Sequence, residues 1–88
     1  MTQNAFERRR FVQHHFLGRI SSDVSDPGYR NHTALIGAGW DVRVYLDDAL
    51  QEDCITADPE DGLIQRRTFL RAGTEIRRGD VAIKISKK

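Results

Sequence analysis

Hydrophobic and polar side chains alternate one for one in two separate stretches of this chain. Trp40, Val42, Val44 and Leu46 interleave with Asp41, Arg43, Tyr45 and Asp47, and Val81, Ile83 and Ile85 interleave with Ala82, Lys84 and Ser86. A period of two sorts such residues onto opposite faces of an extended strand, whereas a helix would scatter them around its circumference. A chain of 88 residues supports one small core. Half-buried strands in so short a chain must pair with one another to build it.

Turn signals divide the remaining sequence. Asp47-Asp48, Pro59-Glu60-Asp61-Gly62, Ala72-Gly73 and Arg78-Gly79-Asp80 separate stretches that read as further strands at 53–57, 63–70 and 74–77. Connections this short exclude parallel crossovers, which need a dozen or more residues. The expected fold class is mainly β: a small antiparallel sheet, barrel or sandwich, with a short N-terminal helix or flexible arm. The helix is expected over 4–18. Asn4 and Glu7 form a capping-box pair, Ala5, Phe6, Val12, Phe16, Leu17 and Ile20 share a stripe, and Gly18 supplies a stop. Residues 21–32, rich in Ser, Asp and Asn around Pro27-Gly28, read as a linker. Residues 33–38 read as a strand-like apolar run, with Gly37 and Gly39 marking a bulge or tight bend. The expected division is thus 1–32, helix or arm with linker, and 33–88, a small antiparallel β domain.

Net charge is only +1, but its distribution is uneven. Residues 1–32 carry five Arg against three acids, residues 41–62 one Arg against eight acids, and residues 63–88 eight Lys or Arg against two acids. The simplest account pairs an acidic strand with a basic one, so that Asp53 and Asp58 face Arg66 or Arg67 across a hairpin turning at 59–62. The alternative is a surface meant for a partner. On that account Asp47, Asp48, Glu52, Asp53, Asp58, Glu60 and Asp61 form an acidic interface. Arg8, Arg9, Arg10, Arg66, Arg67, Arg71, Arg77 and Arg78 form the contact set for nucleic acid or a protein partner.

No residue pattern points to catalysis, a metal or a cofactor. His14 and His15, adjacent on the expected helix, would point about 100° apart, and His32 stands far from both in sequence. Cys54 is the single cysteine, so neither an internal disulfide nor a multi-thiolate zinc site can form. Its acidic neighbours Glu52, Asp53 and Asp58 would raise its pKa and blunt it as a nucleophile. The acidic turn lacks calcium-loop spacing, Gly37-Ala38-Gly39 lacks a phosphate-loop context, and Arg78-Gly79-Asp80 reads as a turn rather than an adhesion motif. No apolar run approaches the roughly 18 residues of a membrane span, and no secretory signal opens the sequence. The expectation is a soluble protein without membrane contact.

Val42-Arg43-Val44-Tyr45-Leu46-Asp47-Asp48 followed by Cys54-Ile55-Thr56-Ala57-Asp58-Pro59-Glu60-Asp61-Gly62-Leu63-Ile64 resembles small hypothetical proteins of tailed bacteriophages and prophages. The Arg77-Arg78-Gly79-Asp80 turn before an alternating strand is similar to a hairpin of small β-rich head–tail joining proteins. The resemblance spans residues 42–85. It implies a non-enzymatic phage or prophage protein acting by protein–protein contact, as a virion structural or head–tail accessory component. The implied location is the bacterial cytoplasm or the virion, and the implied partners are other virion proteins or further copies of itself. The alternative function is a nucleic-acid-binding or regulatory accessory protein using the Arg-rich arm and C-terminal strands.

Overall fold

The computed structural model describes residues 14–68 and 73–87. The fold is mainly β, and the described residues build two four-stranded antiparallel sheets and one short helix. The strands are β1 (His14–Phe16), β2 (Ile20–Ser21), β3 (Trp40–Leu46), β4 (Ala49–Leu50), β5 (Cys54–Asp58), β6 (Leu63–Thr68), β7 (Gly73–Arg78) and β8 (Val81–Lys87), and helix α1 is Tyr29–Gly37. The first sheet has the order β1-β8-β3-β4 and the second β2-β5-β6-β7. Among the described residues, no helix is long and apolar enough to cross a membrane.

The two alternating stretches are the paired heart of the first sheet. Val42 faces Ile85, Val44 faces Ile83 and Leu46 faces Val81 across β3 and β8. Their shared face meets Ile20, Ala57 and Ile64 of the second sheet and Leu35 of the helix in a single core. Each Val or Ile buried there contributes roughly 1.5–3 kcal/mol. The period-two reading therefore holds because the sheet buries one face and leaves Arg43 and Lys84 on the other.

Turn chemistry fixes the end of the molecule where three hairpins converge. Asp47 and Asp48 both adopt positive φ (50° and 70°) in the two-residue β3–β4 turn. That conformation matches strand twist, and Asp tolerates it better than most residues. Asp47 then reaches across: its N–H donates to Asp80 O at 2.8 Å, and its Oδ1 accepts from Asp80 N–H at 2.9 Å. The β5–β6 turn ends at Gly62, whose φ of +66° and 2.9 Å clearance to Gly79 O leave no room for a Cβ. Gly79 N–H donates to Gly62 O at 3.0 Å, tying the β7–β8 turn to the β5–β6 turn.

Three sequence expectations are overturned. The part of the expected helix that can be seen, His14–Phe16, is a strand pairing with Ile85, Lys84 and Ile83 of β8; residues 4–13 lie outside the described residues. An unpaired β8 edge offers hydrogen bonds and an apolar face to Phe16, and tertiary pairing outweighs weak local helix propensity. Residues 21–32 are not simply a linker. Ser21 belongs to β2, its hydroxyl 2.7 Å from that of Thr56, both buried, and the helix begins at Tyr29. The run at 33–38 is not a strand but the C-terminal half of that helix, closed by Ala38 N–H to Ala34 O and Gly39 N–H to Ile36 O, with Gly39 at φ +88° turning into β3.

Arg19 anchors the turn that leads into that helix. Its guanidinium grips Asp26 through Nε–Oδ1 (2.9 Å) and Nη2–Oδ2 (2.7 Å), and reaches Asp58 Oδ2 through Nη1 at 3.3 Å. Asp26 Oδ1 also accepts from Gly28 N–H at 2.7 Å, and the Asp26 carbonyl accepts from Tyr29 N–H at 3.0 Å. Gly28 lies so close that a Cβ would sit 2.9 Å from the Ile20 carbonyl carbon. The hydrogen bond from Arg19 holds the Asp26 carboxyl below its ordinary range, and Asp26 in turn raises Arg19. Arg19→Ala is expected to lower stability by about 1.5–3 kcal/mol in denaturant unfolding, the range for hydrogen bonds to charged groups. Because the folded carboxyl is depressed, its contribution is fully present above the unfolded value of about 3.9 and fades as pH falls through the folded value. Asp26→Asn should therefore lower stability at neutral pH and flatten the loss of stability below about pH 4.

Candidate functional site

Strand β7 is the outermost strand of the second sheet. It is six residues long, and all but Glu75 are exposed. Among the described residues the other edge strands are short: β1 has three, and β2 and β4 have two each. Ile76 stands 61% exposed in the middle of β7, the largest apolar exposure on any strand described. An edge strand offers a row of main-chain donors and acceptors to another chain, and charges on it limit which chain can add.

The strand's two faces differ. Pairing with β6 sets Ile64 opposite Arg77, Gln65 opposite Ile76, Arg66 opposite Glu75 and Arg67 opposite Thr74. Glu75, Arg77 and Arg66 thus share the face that carries Ile64, and there they form an ion cluster. Glu75 Oε2 lies 3.4 Å from Arg66 Nε and 3.4 Å from Arg77 Nη2. Arg66 is further held by a hydrogen bond from Nη1 to Gln51 Oε1 at 3.2 Å. Ile76, Thr74 and Arg78 share the other face with Gln65 and Arg67. On this face a polar chain crosses the whole sheet: Ser21 and Thr56 hydroxyls in contact, Thr56 Oγ1 to Gln65 Oε1 (3.2 Å), and Gln65 Nε2 to Thr74 Oγ1 (3.4 Å).

The expected contact residues are therefore not brought together as one surface. Arg66 and Arg77 lie on one face of the second sheet and Arg67 and Arg78 on the other; Arg8, Arg9, Arg10 and Arg71 lie outside the described residues. The acidic set divides as well. Asp47, Asp48, Asp58, Glu60 and Asp61 gather near the converging turns, whereas Glu52 and Asp53 precede β5 at its other end. Nor does the hairpin pair its charges as expected. Asp58 sits opposite Leu63 and gives its carboxylate to Arg19, while Arg66 sits opposite Cys54 and turns to Glu75. Asp53 meets Arg67 only through the main chain, Arg67 N–H to Asp53 O at 3.0 Å.

Sequence reasoning missed a row of basic residue types on the outer face of the first sheet. His15, Lys84 and Arg43 face one another in register across β1, β8 and β3. The like charges of Arg43 and Lys84 are eased by Asp41, 3.0 Å from Arg43, and by the Tyr45 ring, whose centroid is 4.5 Å from Lys84 Nζ. The alternation that named the strands already implied this face. What it could not give was the register.

A cleft of about 440 Å³ opens between α1 and the β4–β5 connection, lined by His32, Ile36, Leu50, Gln51, Glu52 and Cys54 among others. It holds a thiol and an imidazole, but the Cys54 thiol donates to Thr56 O at 3.2 Å. Burial, not its acidic neighbours, pushes that thiol up to about 11, while nearby Arg66 pulls the other way. His14 and His15, adjacent on a strand, point to opposite faces, and among the described residues no group of three or more His, Cys, Asp or Glu is placed to hold a metal.

No family model, curated protein or solved structure matches this chain.

A thiol raised this far is almost wholly protonated at pH 8. Cys54 should therefore react with iodoacetamide roughly 100-fold more slowly than free cysteine at that pH, and should approach its full rate only near pH 11. Mass-resolved labelling time courses check this directly.

Proposed function

We propose that this chain is a non-enzymatic protein acting by protein–protein contact, with the open edge of the second sheet as its contact surface. One observation carries the reading: among the described residues, β7 presents six residues of unpaired edge with Ile76 exposed at its centre. Main-chain hydrogen bonds along such an edge supply affinity, and the alternate side chains supply specificity. The half-buried Cys54, its thiol pushed up to about 11, supports the non-enzymatic part of the proposal, since its most reactive form is scarce at neutral pH. A phage or prophage setting, as a virion or head–tail accessory component, rests on the resemblance of residues 42–85 alone.

A photo-crosslinking amino acid at position 76, with adducts identified by mass spectrometry from the intact assembly, tests the reading. Specific adducts to one protein at 76, absent when the probe sits at Asp41 on the first sheet, are the expected result. Absence of any adduct at 76 would overturn it.

The nucleic-acid reading has one specific observation in its favour, the row of His15, Lys84 and Arg43 beside Tyr45. Basic side chains next to a half-exposed ring are compatible with single-stranded nucleic acid. On that reading Lys84→Glu should weaken oligothymidine binding and reduce the slope of log K against log salt by about 0.7 or more. An unchanged slope would remove this face from consideration.

A further inference from the structure

We propose that β7 pairs antiparallel with β7 of a second copy of this chain, in the register that sets Ile76 opposite the partner's Ile76 and Glu75 opposite the partner's Arg77. This deepens the protein-contact reading and rests on it. The argument begins with the phase of the hydrogen-bond ladder. Facing residues of an antiparallel pair alternate between hydrogen-bonded and non-hydrogen-bonded. Gly79 N–H donates to Gly62 O, and the register continues from that pair through Arg78 and Leu63. Residues 73, 75 and 77 therefore direct their main-chain groups at β6, and residues 74, 76 and 78 direct theirs at the open edge. Arg67, opposite Thr74, confirms the phase by donating its N–H away from β7, to Asp53 O.

A second β7 must match outward-facing residues with outward-facing residues, which leaves few registers. Centring the pair on residue 75 would place Glu75 against the partner's Glu75, and centring it on residue 77 would place Arg77 against the partner's Arg77. Like charges directly opposite are destabilising. Centring on Ile76 engages all of residues 74, 76 and 78 in the ladder. It sets Glu75 against the partner's Arg77 twice over, and it brings the two exposed Ile76 side chains together on the other face. The contact is isologous and closes on itself as a twofold dimer. Two four-stranded sheets would then run on as one, leaving no long edge open among the described residues. The charge layout that blunts the edge toward other chains is complementary to its own copy.

The test is sedimentation of the full chain and its variants over a concentration series into the high micromolar range. The native chain should show a reversible monomer–dimer equilibrium. Glu75→Arg alone and Arg77→Glu alone should each be monomeric, because each places like charges opposite at both ends of the pair. An equimolar mixture of those two variants should dimerise again, since every facing pair becomes opposite in sign. Ile76→Lys, at a position 61% exposed and thus harmless to folding, should also be monomeric. A native chain that stays monomeric throughout, or single charge variants that dimerise as the native chain does, would overturn the register and the self-pairing. A monomeric native chain whose position-76 probe links to a different protein would sink this inference while leaving the contact reading standing. A monomer with no adduct at 76 would sink both.

Discussion

The guanidinium of Arg19 joins three distant parts of the chain at a single point. It leaves the connection between β1 and β2, where the chain passes from one sheet to the other, and binds Asp26 ahead of α1 and Asp58 at the end of β5. Both carboxylates are 13% exposed, so the pairing is largely sheltered from water. The planar fork matches Asp26 in two parallel hydrogen bonds, a geometry Lys could not reproduce. Asp26 is thereby fixed to receive Gly28 N–H in the turn that leads into the helix, and Asn31 Nδ2 closes the corner by donating to Arg19 O at 2.9 Å. A core this small leaves little stability in reserve, so one well-sheltered ionic corner weighs heavily.

What Arg19 secures on one flank, the second sheet leaves unsecured on the other. The first sheet ends in strands of three and two residues, and the second begins with one of two residues backed by the Ser21–Thr56 contact. Among the described residues, strands that short offer an incoming chain little to bond with. β7 is the exception, and its charges are not arranged to repel every partner. Glu75 sits between Arg66 and Arg77, the intervening residue is apolar, and the order Glu-Ile-Arg is complementary to its own antiparallel copy. On the proposed reading this edge is the contact surface, and the pairing of β7 with β6 holds it extended.

Strands with strong alternation were legible from the sequence because their pattern reports burial directly, as at Trp40–Leu46 and Val81–Lys87. The hairpin turning at Pro59–Gly62 was equally legible, since its turn residues carry their own conformational preference. The helix was not. Tyr29–Gly37 buries Leu35 alone, so it lacks an apolar stripe, and no side chain caps its N-terminus. Phe16 misled for the opposite reason: it fitted a helical stripe, yet its place is opposite Ile83. At the candidate site, Arg66 and Arg67 were grouped because they are neighbours in sequence, although neighbours on a strand point apart. Ile76 drew no notice because a lone isoleucine among charges resembles a core residue until its exposure is known.

By itself the sequence determined the mainly β class, the antiparallel connections and the positions of five of the strands. Each follows from local facts, the period of side-chain burial and the backbone preferences of Pro, Gly and Asp. The tertiary structure alone decided which charges meet. Asp58 could have joined Arg66 across its own hairpin, but the register sets Leu63 and Cys54 at those positions and delivers Arg19 from the other sheet instead. It also decided that β7 should be the open edge, because strand order is set by which faces fit one core, and no local pattern encodes that.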